Sequence, residues 1–84
     1  MTKIIAAKPA DDNVVQRIAV VTINNNTQEF VINNPSDVEF GEVEMNLNDS
    51  VEIEFTDSSE DGVVISHTLK FIVDREFTEI ILPE

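Results

Sequence analysis

Apolar and polar residues alternate with a period of two along most of the chain, which is typical of half-buried β-strands. Within residues 51–55, apolar side chains at odd positions alternate with Glu52 and Glu54. Residues 63–73 repeat the alternation. Both segments are predicted to be strands with apolar side chains on one face and polar side chains on the other. Residues 77–82 suggest a last strand, which has apolar side chains on both faces and is expected to be partly covered on both.

A near-continuous run of Val and Ile over residues 17–23 breaks this alternation. Such a run predicts a central strand that is covered on both faces. Three consecutive Asn residues and a Thr follow at 24–27, and a second apolar segment begins at residue 28. Asn tolerates the left-handed backbone region, so we expect a hairpin turn between the two segments.

The apolar positions change parity near Gly41: they are even in residues 38–40 and odd in residues 43–47. A shift of one residue reverses the buried face of a strand. A β-bulge at Gly41 would reconcile the two halves, whereas a turn between two shorter strands is the competing interpretation. Residues 48–50 are predicted to form a tight turn, and residues 57–62 a longer polar one.

Segments of this kind recur at intervals of roughly ten residues, with turn signals between them, and no stretch has helical periodicity. The 84 residues are enough for one domain. We therefore predict a single all-β domain over residues 1–84, a small antiparallel β-sandwich of about seven strands, with a small β-barrel as the alternative. The predicted core consists of Ile18, Val20, Phe30, Ile32, Phe40, Met45, Leu47, Val51, Ile53, Phe55, Leu69, Phe71 and Val73.

Charge is the most unusual feature of the composition. Seventeen acidic residues oppose five basic ones, for a net charge of −12, and no Lys or Arg occurs between Arg17 and Lys70. A field of this sign opposes direct binding to nucleic acid or to anionic lipid, and it attracts cations and basic proteins. The chain has no apolar run long enough to span a membrane and no secretory leader pattern, so we expect a cytoplasmic or virion-associated protein.

No combination of residues predicts catalysis or a bound cofactor. His67 is the single histidine, and on a strand its neighbours Ser66 and Thr68 point to the opposite face. We expect a partly buried histidine that shares a face with Ile65 and Leu69. The acidic pairs along the strands are expected to be solvated faces, so the protein is predicted not to be an enzyme.

One loop carries a sharper pattern, because Asp57, Ser59 and Asp61 occupy alternate positions before Gly62. That spacing matches the first half of an EF-hand calcium loop. The twelfth position is Thr68, where an EF-hand needs a bidentate Glu, and the flanks are predicted strands. The interpretation we favour is a plain polar turn, and weak calcium binding through Asp57 and Asp61 is the alternative.

Residues 47–66, with the sequence LNDSVEIEFTDSSEDGVVIS, resemble part of fibronectin-type-III and related immunoglobulin-like modules. In both, a polar turn opens an alternating strand, and a turn with Asp and Gly leads into a long strand. The resemblance covers about a quarter of the chain, which lacks the Trp and Tyr of those families. It implies a β-sandwich with a binding, spacing or structural role.

These observations predict a non-enzymatic structural or protein-interaction module, for example a virion or assembly component. It would present an acidic β-surface to a basic protein partner or to a copy of itself. An acidic inhibitor that mimics nucleic-acid charge and blocks a basic groove is the alternative, and adaptation to a saline habitat would explain the charge without any partner. The predicted partner-binding residues are Glu42, Glu44, Glu52 and Glu54.

Overall fold

The computed structural model describes residues 2–34 and 36–82, and within them it confirms the all-β prediction. Those residues form seven strands and contain no helix that could cross a membrane. The strands are β1 (Thr2–Ala7), β2 (Val14–Ile23), β3 (Asn26–Ile32), β4 (Glu39–Glu44), β5 (Ser50–Ser59), β6 (Val64–Ile72) and β7 (Glu79–Leu82).

The strands form two sheets, one with the order β4-β1-β7 and the other with the order β3-β2-β5-β6. The sheets do not close into a barrel, so the structure is a small β-sandwich and the barrel alternative is wrong. Every pair is antiparallel except β1 with β7, which is parallel. The prediction of a purely antiparallel sandwich therefore needs this one correction.

Strand β1 was not among the predicted strands. Its residues Lys3, Ile5 and Ala7 are buried between the sheets. A charged residue and a small one stand at two of these three inward positions, so the apolar alternation that marks the other strands is not visible here. The number of strands nevertheless agrees with the expected seven or so: β1 adds one, and residues 38–47 contribute the single strand β4 where the competing interpretation would have two.

The parity change near Gly41 is a β-bulge, as predicted, and the competing turn is wrong. Ile5 pairs with Gly41 whereas Ala6 pairs with Glu39, so Phe40 is the additional residue on β4. A Cβ atom on Gly41 would lie 2.8 Å from the ring of Phe30 on β3. Glycine therefore lets an edge strand of one sheet approach an edge strand of the other.

Two of the three predicted turns are confirmed. Asn24 and Asn25, with φ values of 48° and 72°, connect β2 to β3, and Asn48 has a φ of 74° in the turn before β5. Left-handed backbone at both central positions is the geometry of a tight hairpin turn that matches the twist of the strands. The turn predicted at 57–62 is shorter than expected, because β5 continues to Ser59.

The core lies between the inner faces of the two sheets. Most of the predicted core residues are buried or partly buried, but Leu47 is 55% exposed in the loop before β5. Ile18 and Val20 are only half-buried, because it is their neighbours Ala19 and Val21 that face inward. A continuous Val and Ile run does not reveal which parity is inside. The core cluster contains Ile5, Ala7, Ala19, Val21, Val43, Met45, Val51, Ile53, Phe55, Val73, Ile80 and Leu82.

Phe55 is expected to stabilise the fold more than Phe71. Phe55 is 2% exposed and meets Phe40 edge-to-face at 5.7 Å between ring centroids, whereas Phe71 only packs against the margin of the core. Phe55→Ala should lower the free energy of unfolding by about 3–5 kcal/mol, and Phe71→Ala should lower it by clearly less. Urea unfolding of both variants measures the difference. Equal losses would contradict this description of the core.

Candidate interaction surfaces

The outer face of the four-stranded sheet combines carboxylates with half-exposed aliphatic side chains. Val20 on β2 pairs with Glu29 on one side and with Glu54 on the other, so it lies between two carboxylates. Ile18 lies two residues before Val20 on β2 and pairs with Val31 on β3. These two side chains continue the apolar strip. Val31 is exposed, and Ile18 and Val20 are each half-buried. An apolar strip with an acidic margin therefore lies on an open sheet face.

Glu52 points to the same face as Glu54, and it is near Lys70, a cation on that face. Its carboxylate is 3.8 Å from the Nζ atom of Lys70 on β6, and both side chains are at least half exposed. An ion pair this exposed contributes between zero and about 1 kcal/mol. The face therefore keeps a negative field.

Glu42 and Glu44 do not belong to that surface. They are exposed on β4 in the other sheet, and β4 does not pair with β5. Ile4 lies between Glu42 and Glu79 there, which repeats the arrangement around Val20. The four predicted acidic residues thus face solvent as expected, but they form two separate pairs on opposite faces instead of one surface.

The Thr2 hydroxyl donates a hydrogen bond to the Glu44 carboxylate at 2.5 Å. This bond favours the ionised form and holds the pKa of Glu44 below its ordinary value. Glu44 therefore contributes a negative charge to its face across the neutral pH range and well into the acidic one.

Two of the five basic residues are buried, which leaves the surface more acidic than the overall charge suggests. Lys3 is buried at one end of the sandwich, where its Nζ atom donates a hydrogen bond to the Phe77 carbonyl. The same atom lies 3.7 Å from the Glu76 carboxylate and 4.8 Å from the centre of the Phe77 ring. Arg17 is buried as well. The exposed cations are Lys8, Lys70 and Arg75.

Asp57, a predicted calcium ligand, is the partner of buried Arg17. The Nε atom of Arg17 donates to Oδ1 of Asp57 at 2.8 Å, and Nη2 donates to Oδ2 at 3.4 Å. The guanidinium lies 5.1 Å from the centre of the Phe55 ring, and its Nη1 atom has no hydrogen-bond partner among the described residues. Asp57 therefore neutralises the buried charge of the Arg17 guanidinium.

Asp61, the second predicted ligand, accepts a hydrogen bond from the Ser59 hydroxyl, which lowers the pKa of Asp61. Within residues 2–34 and 36–82, no three His, Asp or Glu side chains are grouped as a metal site would require. The two predicted ligands thus have different partners. Calcium binding by this loop stays a prediction from the sequence, and it would have to break the contact between Asp57 and Arg17.

His67 is exposed, so the expectation of a partly buried histidine is wrong. Its ring stacks on that of Phe55, with centroids 6.4 Å apart and an interplanar angle of 18°. Ile65, on the same face of β6, is 55% exposed. Strand β6 is at the edge of its sheet, and this part of its inner face is left uncovered.

Asp49 connects the turn before β5 to the turn after β2. It accepts hydrogen bonds from the Asn46 backbone N–H at 2.8 Å and from Nδ2 of Asn24 at 3.0 Å. Oδ1 of Asn24 in turn accepts from the backbone N–H of Ser50. These donors favour the carboxylate, the Asn46 N–H most, and lower the pKa of Asp49.

No family model matches the chain, and comparison with curated proteins and with solved structures found no match. The resemblance of residues 47–66 to fibronectin-type-III modules therefore stays a prediction.

Removing Asp57 should destabilise the protein more than removing Arg17. Asp57→Ala leaves a buried guanidinium without its counter-charge, which costs about 3 kcal/mol or more. Arg17→Met replaces the guanidinium by an apolar side chain and leaves Asp57, which retains some exposure to water. Urea unfolding of the two variants gives the comparison. A larger loss for Arg17→Met than for Asp57→Ala would refute this account of the pair.

The Asp49 contacts should give a pH-dependent contribution to stability. Because the folded pKa lies below the ordinary value of 3.8, the contribution is present above that value and is lost as the pH falls through the lowered folded pKa. Asp49→Asn should therefore lower the thermal midpoint at pH 7, and the difference from the parent should shrink in strong acid.

Asp74→Asn is the matched control, because it makes the same charge change at an exposed side chain. It should leave the midpoint at pH 7 unchanged or slightly higher, since it relieves some of the net negative charge. A loss for Asp49→Asn that stayed constant down to pH 2 would contradict the proposed origin.

Proposed function

We propose that the protein is a non-enzymatic interaction module whose four-stranded sheet presents its outer face to a basic protein partner. The observation that carries the proposal is the position of Val20 between Glu29 and Glu54, beside Ile18 and Val31. A protein interface commonly has an apolar centre surrounded by polar groups, and this strip has that composition. A complementary partner would carry Lys or Arg side chains around an apolar contact.

The size of the face supports choosing it over the opposite one. Its strands have 7, 10, 10 and 9 residues, whereas those of the other sheet have 6, 6 and 4. Specific interfaces need roughly 800 Å² from each partner, so the broader sheet is better suited to supply one.

The distribution of carboxylates supports a protein-binding module over a mimic of nucleic acid. A mimic that fills one basic groove would need its acidic side chains together on one surface. Here Glu52 and Glu54 lie on one face of the sandwich, and Glu42 and Glu44 lie on the opposite face. An aliphatic strip at the centre of the larger face also suits a protein surface better than it suits imitation of a phosphate backbone.

A charge-reversal pair tests the proposal, and the two faces supply their own control. Glu29→Lys/Glu54→Lys reverses the two carboxylates around Val20, whereas Glu42→Lys/Glu79→Lys makes the same change around Ile4 on the other face. The parent and both variants are immobilised and cross-linked to proteins of the native host, and any basic protein captured by the parent is then purified. Binding kinetics are measured with that protein.

The first variant should slow association by roughly tenfold or more, with a smaller effect on dissociation, because opposite charges mainly steer encounter. The control variant should bind as the parent does. Added salt should weaken the parent's binding, since it screens exposed charges over about 10 Å at 0.1 M. Equal losses in both variants, or binding that ignores salt, would refute the assignment of this face.

A further inference from the structure

Strand β6 forms an open edge of the four-stranded sheet, and it differs from the other three edge strands. Each of the others carries at least one carboxylate: Glu29 on β3, three Glu residues on β4 and Glu79 on β7. Residues 62–73 contain no Asp or Glu, and Lys70 is their single charged residue. Among the strands of residues 2–34 and 36–82, β6 is thus the one edge strand without a carboxylate, in a chain with seventeen acidic residues.

The backbone of β6 exposes a regular set of hydrogen-bonding groups along this edge. At one end of the β5–β6 pair, the carbonyl of Val63 accepts from Ser59 at 2.9 Å, and at the other end the N–H of Val73 donates to Asp49 at 3.0 Å. Alternate residues of an antiparallel strand bond to the same neighbour, so the odd-numbered residues of β6 face β5. The N–H and C=O groups of the even-numbered residues therefore point away from the sheet, towards the side without a further strand among the described residues.

Exposed aliphatic side chains lie at both ends of the same strand. Val64 is 59% exposed, Ile65 is 55% exposed and Ile72 is 63% exposed. A long edge strand with apolar side chains and no acidic residue favours the addition of another strand. Natural sheets usually block such an edge with charges, and β6 has Lys70 alone.

We propose that β6 pairs antiparallel with β6 of a second copy of this chain, so that the two four-stranded sheets join into one. The two-fold axis passes through the middle of the strand, at Thr68. Thr68 then lies opposite Thr68 of the second copy, and Ser66 lies opposite its Lys70. Val64 lies opposite its Ile72, so that the exposed aliphatic residues at the two ends of β6 come together.

The same register brings apolar residues together on the inner face. Ile65 of one copy lies opposite Phe71 of the other, next to an open cleft lined by Phe71, Phe77 and Ile80. The second copy would therefore cover part of this cleft, whose lining also includes Asp74, Arg75 and Glu79, as well as complete the backbone hydrogen bonds.

The charges favour a second copy of the chain over a basic partner at this edge. A basic strand would meet Lys70 and no carboxylate on β6, whereas two copies of β6 place Lys70 opposite a neutral serine. The net charge of −12 on each copy opposes association at long range. Dimerisation should therefore strengthen as salt is raised from very low ionic strength to about 0.15 M, which is the reverse of the salt effect expected for a basic partner on the outer face.

Two single substitutions test this register. In the dimer, Thr68→Lys places two lysines opposite each other on the two-fold axis. Within one copy the same lysine lies opposite Glu54, so we expect the monomer to keep its stability. Ser66→Glu places a carboxylate opposite Lys70 of the second copy and serves as the control. Sedimentation velocity at moderate salt, from micromolar to hundreds of micromolar protein, measures the dissociation constant of each.

The parent should dimerise, Thr68→Lys should weaken the dimer by at least about tenfold, and Ser66→Glu should leave it as tight or tighter. A parent that stays monomeric at the highest concentration would overturn the proposal and leave this edge for another chain. A dimer unaffected by Thr68→Lys, or weakened equally by Ser66→Glu, would also overturn it.

Amide hydrogen exchange gives a second readout with an internal control. In the parent dimer the even-numbered amides of Ser66, Thr68 and Lys70 should be protected, and in Thr68→Lys they should exchange rapidly. The amides of His67 and Leu69, which bond to β5, should be slow in both proteins. Rapid exchange of the even-numbered amides in the concentrated parent would contradict pairing at this edge. None of these substitutions alters Glu29, Val20 or Glu54, so failure here would leave the proposed function of the outer face standing.

Discussion

The register between β2 and β5 is the constraint on which the rest of the structure depends. It places Ala19 opposite Phe55 and Val21 opposite Ile53, so these four side chains enter the core together. A strand alternates strictly between its two faces, so this choice also determines everything on the outside. A shift of one residue would exchange the core for the surface along the whole length of the two strands.

The same register allows the protein to carry its unusual charge. Arg17 pairs directly with Asp57 in the ladder, so one of the few cations is buried beside a partly exposed counter-ion. Lys3 is buried at the end of β1 beside Phe77 and Glu76. Two of the five cations are thus buried, whereas most of the carboxylates remain in water. The consequence is a surface with two acidic faces and one edge strand, β6, that carries no carboxylate, and this contrast suggests different partners for face and edge.

Much of the fold could be predicted from the sequence, because apolar and polar residues alternate clearly in most strands and the Asn residues after β2 indicate a hairpin turn. The bulge at Gly41 was visible as a change of parity. Other features depend on tertiary contacts that a local pattern does not contain. The run from Arg17 to Ile23 is apolar at both parities, so its buried face is decided by β5. Lys3 is unrecognisable as a core residue until β1 is placed between β4 and β7.

The candidate sites also combine features that follow from the local sequence with features that depend on tertiary contacts. Exposure of the four predicted glutamates followed from alternation within each strand, which is a local property. Their separation onto opposite faces could not be predicted in this way, because it depends on β4 and β5 belonging to different sheets. For the same reason Asp57 looked like a calcium ligand: its spacing to Asp61 is local, whereas its partner Arg17 is 40 residues away.

The most direct test of the account is a nuclear Overhauser measurement on the methyl groups of β2 in the parent protein. If the register is as described, the methyls of Ala19 and Val21 contact the side chains of Phe55 and Ile53, and the methyls of Ile18 and Val20 show no contact with the Phe55 ring. Contacts from Ile18 and Val20 to the Phe55 ring would mean that the opposite face of β2 is inside. The apolar strip around Val20 and its acidic margin would then not face solvent, and the surface proposed for partner binding would not exist.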